Sequence, residues 1–148
     1  MTLEEKLGQL TQLVPDQPEF APALQKGLVG SILNSGGFEQ VNQMQRGLKV
    51  PLLVGYDVIH GYRTIFPIPL AIASSWDPQM AELSAGVAAK EARAAGIHWT
   101  FAPMVDIARD ARWGRIAEGA GEDPVLGSAM VAPYDQPRVA RCTHWIRL

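Results

Sequence analysis

At 148 residues the chain is long enough to bury the core of one ordinary domain. A net charge of −2 supplies no positive field for a polyanion, no apolar run reaches the ~20 residues of a membrane span, and the single cysteine, Cys142, excludes an internal disulfide. The start lacks a basic-then-apolar leader pattern, so the chain as written is expected to stay where it is made.

The first element is a helix. Thr2 followed by Glu5 is a capping-box pattern, and Leu3, Leu7 and Leu10 share one helical face. A loop at Pro15 to Pro18 and a short amphipathic turn lead to Gly27. Leu28 to Leu33 reads as the first strand, closed by Asn34-Ser35-Gly36-Gly37. Phe38, Val41, Met44 and Leu48 keep helical spacing, and Val50 to Val54 is a second strand with Gly55-Tyr56-Asp57 at its end. After an apolar run from Pro67 to Ala73, Asp77-Pro78 starts a helix, with Asp as N-cap and Pro in the first turn. Met80, Leu83, Val87 and Ala88 are expected to form its inner face, and Gly96 its end. Ile97 to Pro103 is the third strand, placing His98 and Trp99 in the core. Continuous apolar strands alternating with helices suit a parallel sheet, either doubly wound or barrel.

Polar chemistry begins where that third strand stops. Asp106-Ile107-Ala108-Arg109-Asp110-Ala111-Arg112-Trp113-Gly114-Arg115, continuing through Glu118 to Gly121-Glu122-Asp123-Pro124, gathers arginines, carboxylates and one tryptophan. Three readings compete: a solvated loop held by its own ion pairs, a nucleic-acid patch, and a site for a polar ligand. Alternating carboxylates cancel the field that phosphates need, which disfavours nucleic acid. A rigid donor fork, hydroxyl acceptors and a flat apolar face together suit a sugar. A nucleotide-binding domain is excluded differently: no strand is followed by G-x-G-x-x-G, and Gly119-Ala120-Gly121 runs into Glu122-Asp123, which would repel a pyrophosphate. His60 has no second His or Cys at usable spacing, so it reads as a hydrogen-bonded structural residue and no metal is expected.

The pattern Asp-x-x-Arg-Asp-x-Arg-Trp-Gly-Arg-x-x-Glu-x-x-Gly-Glu-Asp-Pro over Asp106 to Pro124 resembles the signature loop of glycoside hydrolase family 3. The resemblance extends through Tyr56-Asp57-Val58-Ile59-His60-Gly61-Tyr62-Arg63-Thr64-Ile65-Phe66-Pro67 and the opening Met1 to Leu10, covering roughly residues 1–130, and is nearest to the bacterial periplasmic β-glucosidase branch. It implies an α/β fold, a partial TIM-like (β/α)8 barrel holding the first three or so βα units. A whole barrel needs about 250 residues and eight strands.

The same resemblance implies a retaining, exo-acting glycosidase for terminal β-linked sugars, needing no cofactor. It places Asp57 and Arg115 on the hydroxyls of the sugar, with Trp113 either walling the pocket or packing beneath the loop. Asp106, Arg112 and Glu118 support them, and Asp110 and Glu122 help hold the loop together. The family's nucleophile, its Lys-His pair and its acid/base have no matching positions here, so the chain alone is expected to be inactive. Relatives often carry a signal peptide upstream. Residues 131–148 fit neither period and depart from the family's pattern, suggesting a non-native or disordered tail from a truncated or frameshifted reading. The expected partner is a glycoside or oligosaccharide, with no nucleic acid or membrane and with self-association through exposed strand edges. The competing functional class is an inactive carbohydrate-binding remnant or pseudoenzyme.

Overall fold

The structure, a computed structural model, describes residues 1–35, 37–135 and 144–145. In chain order the elements are α1 (Leu3–Gly8), β1 (Gln12–Leu13), α2 (Phe20–Gln25), β2 (Ser31–Leu33), α3 (Phe38–Gln45), β3 (Leu53–Tyr56), α4 (Pro69–Ala73), α5 (Pro78–Ala94), β4 (Trp99–Thr100), α6 (Pro124–Val131) and β5 (His144–Trp145). Single 3-10 turns occupy Ile116–Glu118 and Ala132–Asp135. The strands follow one another in the sheet, β1-β2-β3-β4-β5. The first pairings are parallel, with Gln12 opposite Ser31 and Ile32 opposite Val54. Parallel neighbours cannot be joined by a tight turn, which is why helices separate β1, β2 and β3. By contact the chain divides into two units, one of Met1–Tyr56 with Ala94–Trp99, the other of Asp57–Arg93 with the chain from Thr100 onward.

In the first unit α1 begins as its capping box dictates: Glu5 N donates to Thr2 Oγ1 at 3.1 Å, and Thr2 N donates to Glu5 Oε2 at 2.8 Å. The leucines that share one face of it are not buried. Leu3 and Leu7 are exposed, and Leu10 is 85% exposed beyond the helix end. The helix docks through glycine instead. A Cβ on Gly8 would strike the backbone of Leu28, and one on Gly30 would strike Gln9, so close backbone approach takes the place of leucine packing. The predicted first strand is shorter than its apolar run, since only Ser31–Leu33 pairs. The two-residue β1, absent from the sequence reading, is too short to show alternation. Ile32, Val54 and Ile97 are fully buried. His98 N donates to Val54 O at 2.9 Å while His98 Nδ1 accepts from Val54 N at 3.1 Å. Its ring is thus used structurally. The Gln45 side chain bridges both backbone groups of Leu52, pinning the turn that leads into β3.

The second unit is built around α5. Asp77 caps it, accepting from Gln79 N at 2.9 Å, with Pro78 at the first turn. The buried face overlaps the predicted one only in part: Ala88 is buried and Val87 half-buried, but Met80 and Leu83 are not. Ala81, Ser84, Ala85, Ala88, Ala89 and Ala92 face inward, whereas Met80 is exposed and Leu83 is 57% exposed. Both stripes are apolar, and the small one wins because alanines let neighbouring segments approach closely. Pro67 to Ala73 contains no strand; its second half is α4. Ala73, Ala81 and Met130 form a core with Ile72, Leu126 and Tyr134, and Tyr134 also packs on Ala85 and Ala89. That burial pushes the Tyr134 hydroxyl pKa upward. The expected non-native tail therefore starts with an ordered turn at Ala132–Asp135, and its remainder lies outside the described residues except His144–Trp145. No described helix is long and apolar enough to cross a membrane.

Because a single side-chain cap starts the 17-residue α5, Asp77→Ala should lower stability by about 1 kcal/mol, read as a drop in the urea midpoint at unchanged slope.

Candidate functional site

Two loops of the second unit carry every residue singled out for ligand binding. The first runs from Asp57 to Phe66 and is folded tightly on itself. Phe66 N donates to His60 O at 2.8 Å, and His60 Nδ1 lies 3.2 Å from Phe66 O. A carbonyl can only accept, so this contact places the proton on Nδ1. Gly61 has φ +117, and a Cβ there would collide with Thr64 O, so glycine is required at this turn. His60 is half-buried and hydrogen-bonded, in the structural role its sequence context suggested.

The second loop follows β4 and returns to α6. Ala108 N donates to Gly121 O at 3.0 Å, closing its base. Within it, Asp110 accepts from Arg112 three ways, from the backbone N at 2.9 Å, from Nε at 3.0 Å and from Nη2 at 2.6 Å. The guanidinium holds the Asp110 carboxyl below the usual range, and Arg112 is raised in turn. Both are exposed, so the pair shapes the turn more than it stabilises the fold. Glu122 makes no ion pair among the described residues, contrary to its expected part in holding the loop. Asp123 holds it instead, capping α6 through Val125 N at 2.9 Å.

Arg115 sits just before the Ile116–Glu118 turn, which brings Glu118 back beneath it. Nε of Arg115 donates to Glu118 Oε1 at 3.2 Å and Nη2 to Oε2 at 2.6 Å, a bidentate pairing, and Nη2 also approaches Met104 Sδ at 3.8 Å. The hydrogen bond to Glu118 raises the guanidinium pKa most, followed by the charge of Glu118 and then the charges of Asp57 and Asp106. Asp57, Asp106 and Glu118 thus all act on one guanidinium. Its Nη1 makes no hydrogen bond among the described residues. Trp113 is half-buried, with its backbone N donating to Asp110 O at 3.0 Å. Among the described residues no three His, Cys, Asp or Glu side chains converge on a metal position.

One contributor had no signal in the sequence. Glu91 of α5 accepts from Arg63 N at 2.9 Å, Thr64 N at 2.8 Å and Thr64 Oγ1 at 2.7 Å, holding the far side of the first loop. In a helical run such as Ala89-Lys90-Glu91-Ala92-Arg93 a glutamate reads as a solvated residue, and no local pattern announces a contact 27 residues away.

The pH dependence of the Arg115 pair follows from its geometry. Arg115 lowers the Glu118 pKa below 4.5, so the carboxylate and its contribution are present above the ordinary value and lost only as pH falls through the lower, folded one. Carboxyl-carbon NMR should therefore show Glu118 titrating below 4.5, and Arg115→Ala should return it toward that value.

Comparison with known proteins agrees with this arrangement of strands and loops. Residues 2–136 match the glycosyl hydrolase family 3 N terminal domain. A periplasmic beta-glucosidase of Salmonella typhimurium is 44% identical over 140 residues, covering 88% of this chain and 18% of the relative. A beta-xylosidase of Formosa agariphila is 34% identical over 132 residues, covering 88% of this chain and 16% of the relative. The crystal structure of a Listeria innocua beta-glucosidase in complex with isofagomine superposes with a TM-score of 0.80 at 41% identity, covering 93% of this chain and 22% of that one. The chain thus spans about a fifth of the length of these proteins, and its parallel strands correspond to part of their barrel-like domain. The chain belongs to glycosyl hydrolase family 3, within the family's N-terminal domain.

Proposed function

We propose that the chain forms part of the sugar-binding subsite of a retaining, exo-acting β-glucosidase-like glycosidase that hydrolyses O-glycosyl bonds of terminal β-linked sugars. In this reading Asp57 accepts from sugar hydroxyls, Arg115 donates to the same sugar, and Trp113 walls the subsite. Glu118 and Asp106 orient Arg115, and Arg112 shapes the turn that carries it. The observation that supports the reading is the state of the Arg115 guanidinium: one edge is fixed by Glu118, Nη1 makes no hydrogen bond among the described residues, and Asp57 acts on it electrostatically. A donor fork beside a hydroxyl-accepting carboxylate is the pairing that vicinal hydroxyls require. A carboxylate already engaged with the arginine also reduces the ordering needed when the sugar arrives.

Bond cleavage needs more than this subsite. Retaining hydrolysis uses a nucleophilic carboxylate roughly 5 Å from an acid/base group. Neither has a matching position in this chain, so the reading assigns it binding without turnover. An inactive carbohydrate-binding remnant would use the same residues.

Glucose, titrated into the isotope-labelled chain and followed by amide NMR, should perturb the loops around Asp57 and Arg115. Asp57→Ala should weaken binding about 10–100-fold, the value of a charge-assisted hydrogen bond. Nitrophenyl β-glucoside should remain uncleaved. Unchanged glucose binding in both Asp57→Ala and Arg115→Ala would remove the subsite assignment, and nitrophenol release abolished in Asp57→Ala would reject the inactive-remnant reading. Self-association belongs to the same proposal, because Leu10, Trp76 and Val125 stand exposed and strand edges attract partners. Sedimentation velocity should show concentration-dependent assembly, and a monomer at high concentration would contradict it.

A further inference from the structure

We propose that Glu91 is a positioning residue for this subsite: by fastening Arg63 and Thr64 to α5, its carboxylate holds the Asp57–Phe66 loop in the conformation that presents Asp57. The proposal rests on the sugar-binding reading above and extends it to a residue outside both loops.

The geometry points to an anchor rather than a surface charge. Oε2 accepts from two consecutive backbone amides, Arg63 N and Thr64 N, and Oε1 accepts from the Thr64 hydroxyl. Three donors converge on one carboxylate from the tip of the loop. The Phe66–His60 hydrogen bonds and the bridge between Gly61 and Ile65 close the loop on itself. Glu91 connects its tip to a rigid body, because α5 is immobilised by its row of buried alanines, Ala88, Ala89 and Ala92 among them. The hydrogen bonds to Thr64 also hold the Glu91 pKa below its ordinary value, as expected for a carboxylate that spends its lone pairs on amides. Without them the amides of residues 63 and 64 turn to solvent, and the loop that begins at Asp57 loses its outer fixed point.

Glutamine separates hydrogen bonding from charge. Its amide oxygen can take both backbone N–H groups, and its amide nitrogen can donate to Thr64 Oγ1, whose hydroxyl rotates to suit. Glucose is the probe, and the readouts are amide NMR titration and hydrogen exchange on the whole chain. Glu91→Ala should weaken glucose binding about 3–10-fold and speed exchange at Arg63 and Thr64 by about tenfold or more, whereas Glu91→Gln should stay within about twofold of the parent in both. Thr64→Ala, a milder change in an exposed loop, should weaken binding in the same direction by less, and decides the matter if Glu91→Ala does not fold. Parental glucose affinity in Glu91→Ala, or equal losses in the alanine and glutamine variants, would overturn the proposal. If the parent chain binds no glucose, the sugar reading fails by itself. The Glu91 anchor is then judged by the Asp57 and His60 amide resonances: displacement in Glu91→Ala and recovery in Glu91→Gln support it, and unmoved resonances overturn it.

Discussion

Parallel pairing is the constraint on which the rest depends. A parallel strand must be followed by a long return, so its carboxyl end opens into a connecting segment instead of a tight hairpin. In this chain β3 opens into the Asp57 loop and β4 into the loop that carries Arg115. Beyond the strands the backbone no longer has ladder partners and takes up side-chain hydrogen bonds instead. Asp110, Asp123 and Glu91 perform that service, each accepting from loop or helix-start amides. The loops are therefore shaped by carboxylates, and the polar character of the site follows from how its backbone is satisfied.

The second organising fact is the size of the side chains, more than their polarity. The α5 helix offers two apolar stripes and turns its alanines inward, leaving Met80 and Leu83 outside. In α1 a glycine does the docking while the leucines stand in solvent. Small residues permit close packing of backbone against backbone, and each large residue left outside carries an uncompensated hydrophobic cost. That cost is the physical reason for proposing association.

What could be read from the sequence was what is local. The Thr2–Glu5 box, the Asp77-Pro78 start and the glycine at position 96 involve neighbours within four residues, and all appear where their chemistry placed them. Strand positions were legible to within a few residues because Ile32, Val54 and Ile97 sit in apolar runs. The two-residue β1 offered too little pattern. Of the predicted inner face of α5, Ala88 is buried but Met80 and Leu83 are not, because hydrophobicity ranks them above alanine whereas close packing reverses the order. Glu91 was invisible because its partners lie 27 and 28 residues away and two of them are backbone amides that any residue would supply. For the candidate site, the residue types came from the motif, but the division of labour among them needed coordinates. Arg115 is held by Glu118, Arg112 by Asp110, and Glu122 by no ion pair among the described residues.

Charge balance around Arg115 narrows what such a place can accept. Three carboxylates, Asp57, Asp106 and Glu118, act on one guanidinium. An anionic ligand such as a phosphate would meet one donor fork and three repelling charges. A neutral polyol meets the reverse: acceptors for its hydroxyl protons, a fixed donor for its oxygens, and no charge to neutralise. A solvated loop could carry the same Arg115–Glu118 pair with its outer nitrogen in solvent. What favours the proposed sugar reading over a mere ion-paired turn is that Asp57, from the other loop, acts on the same guanidinium.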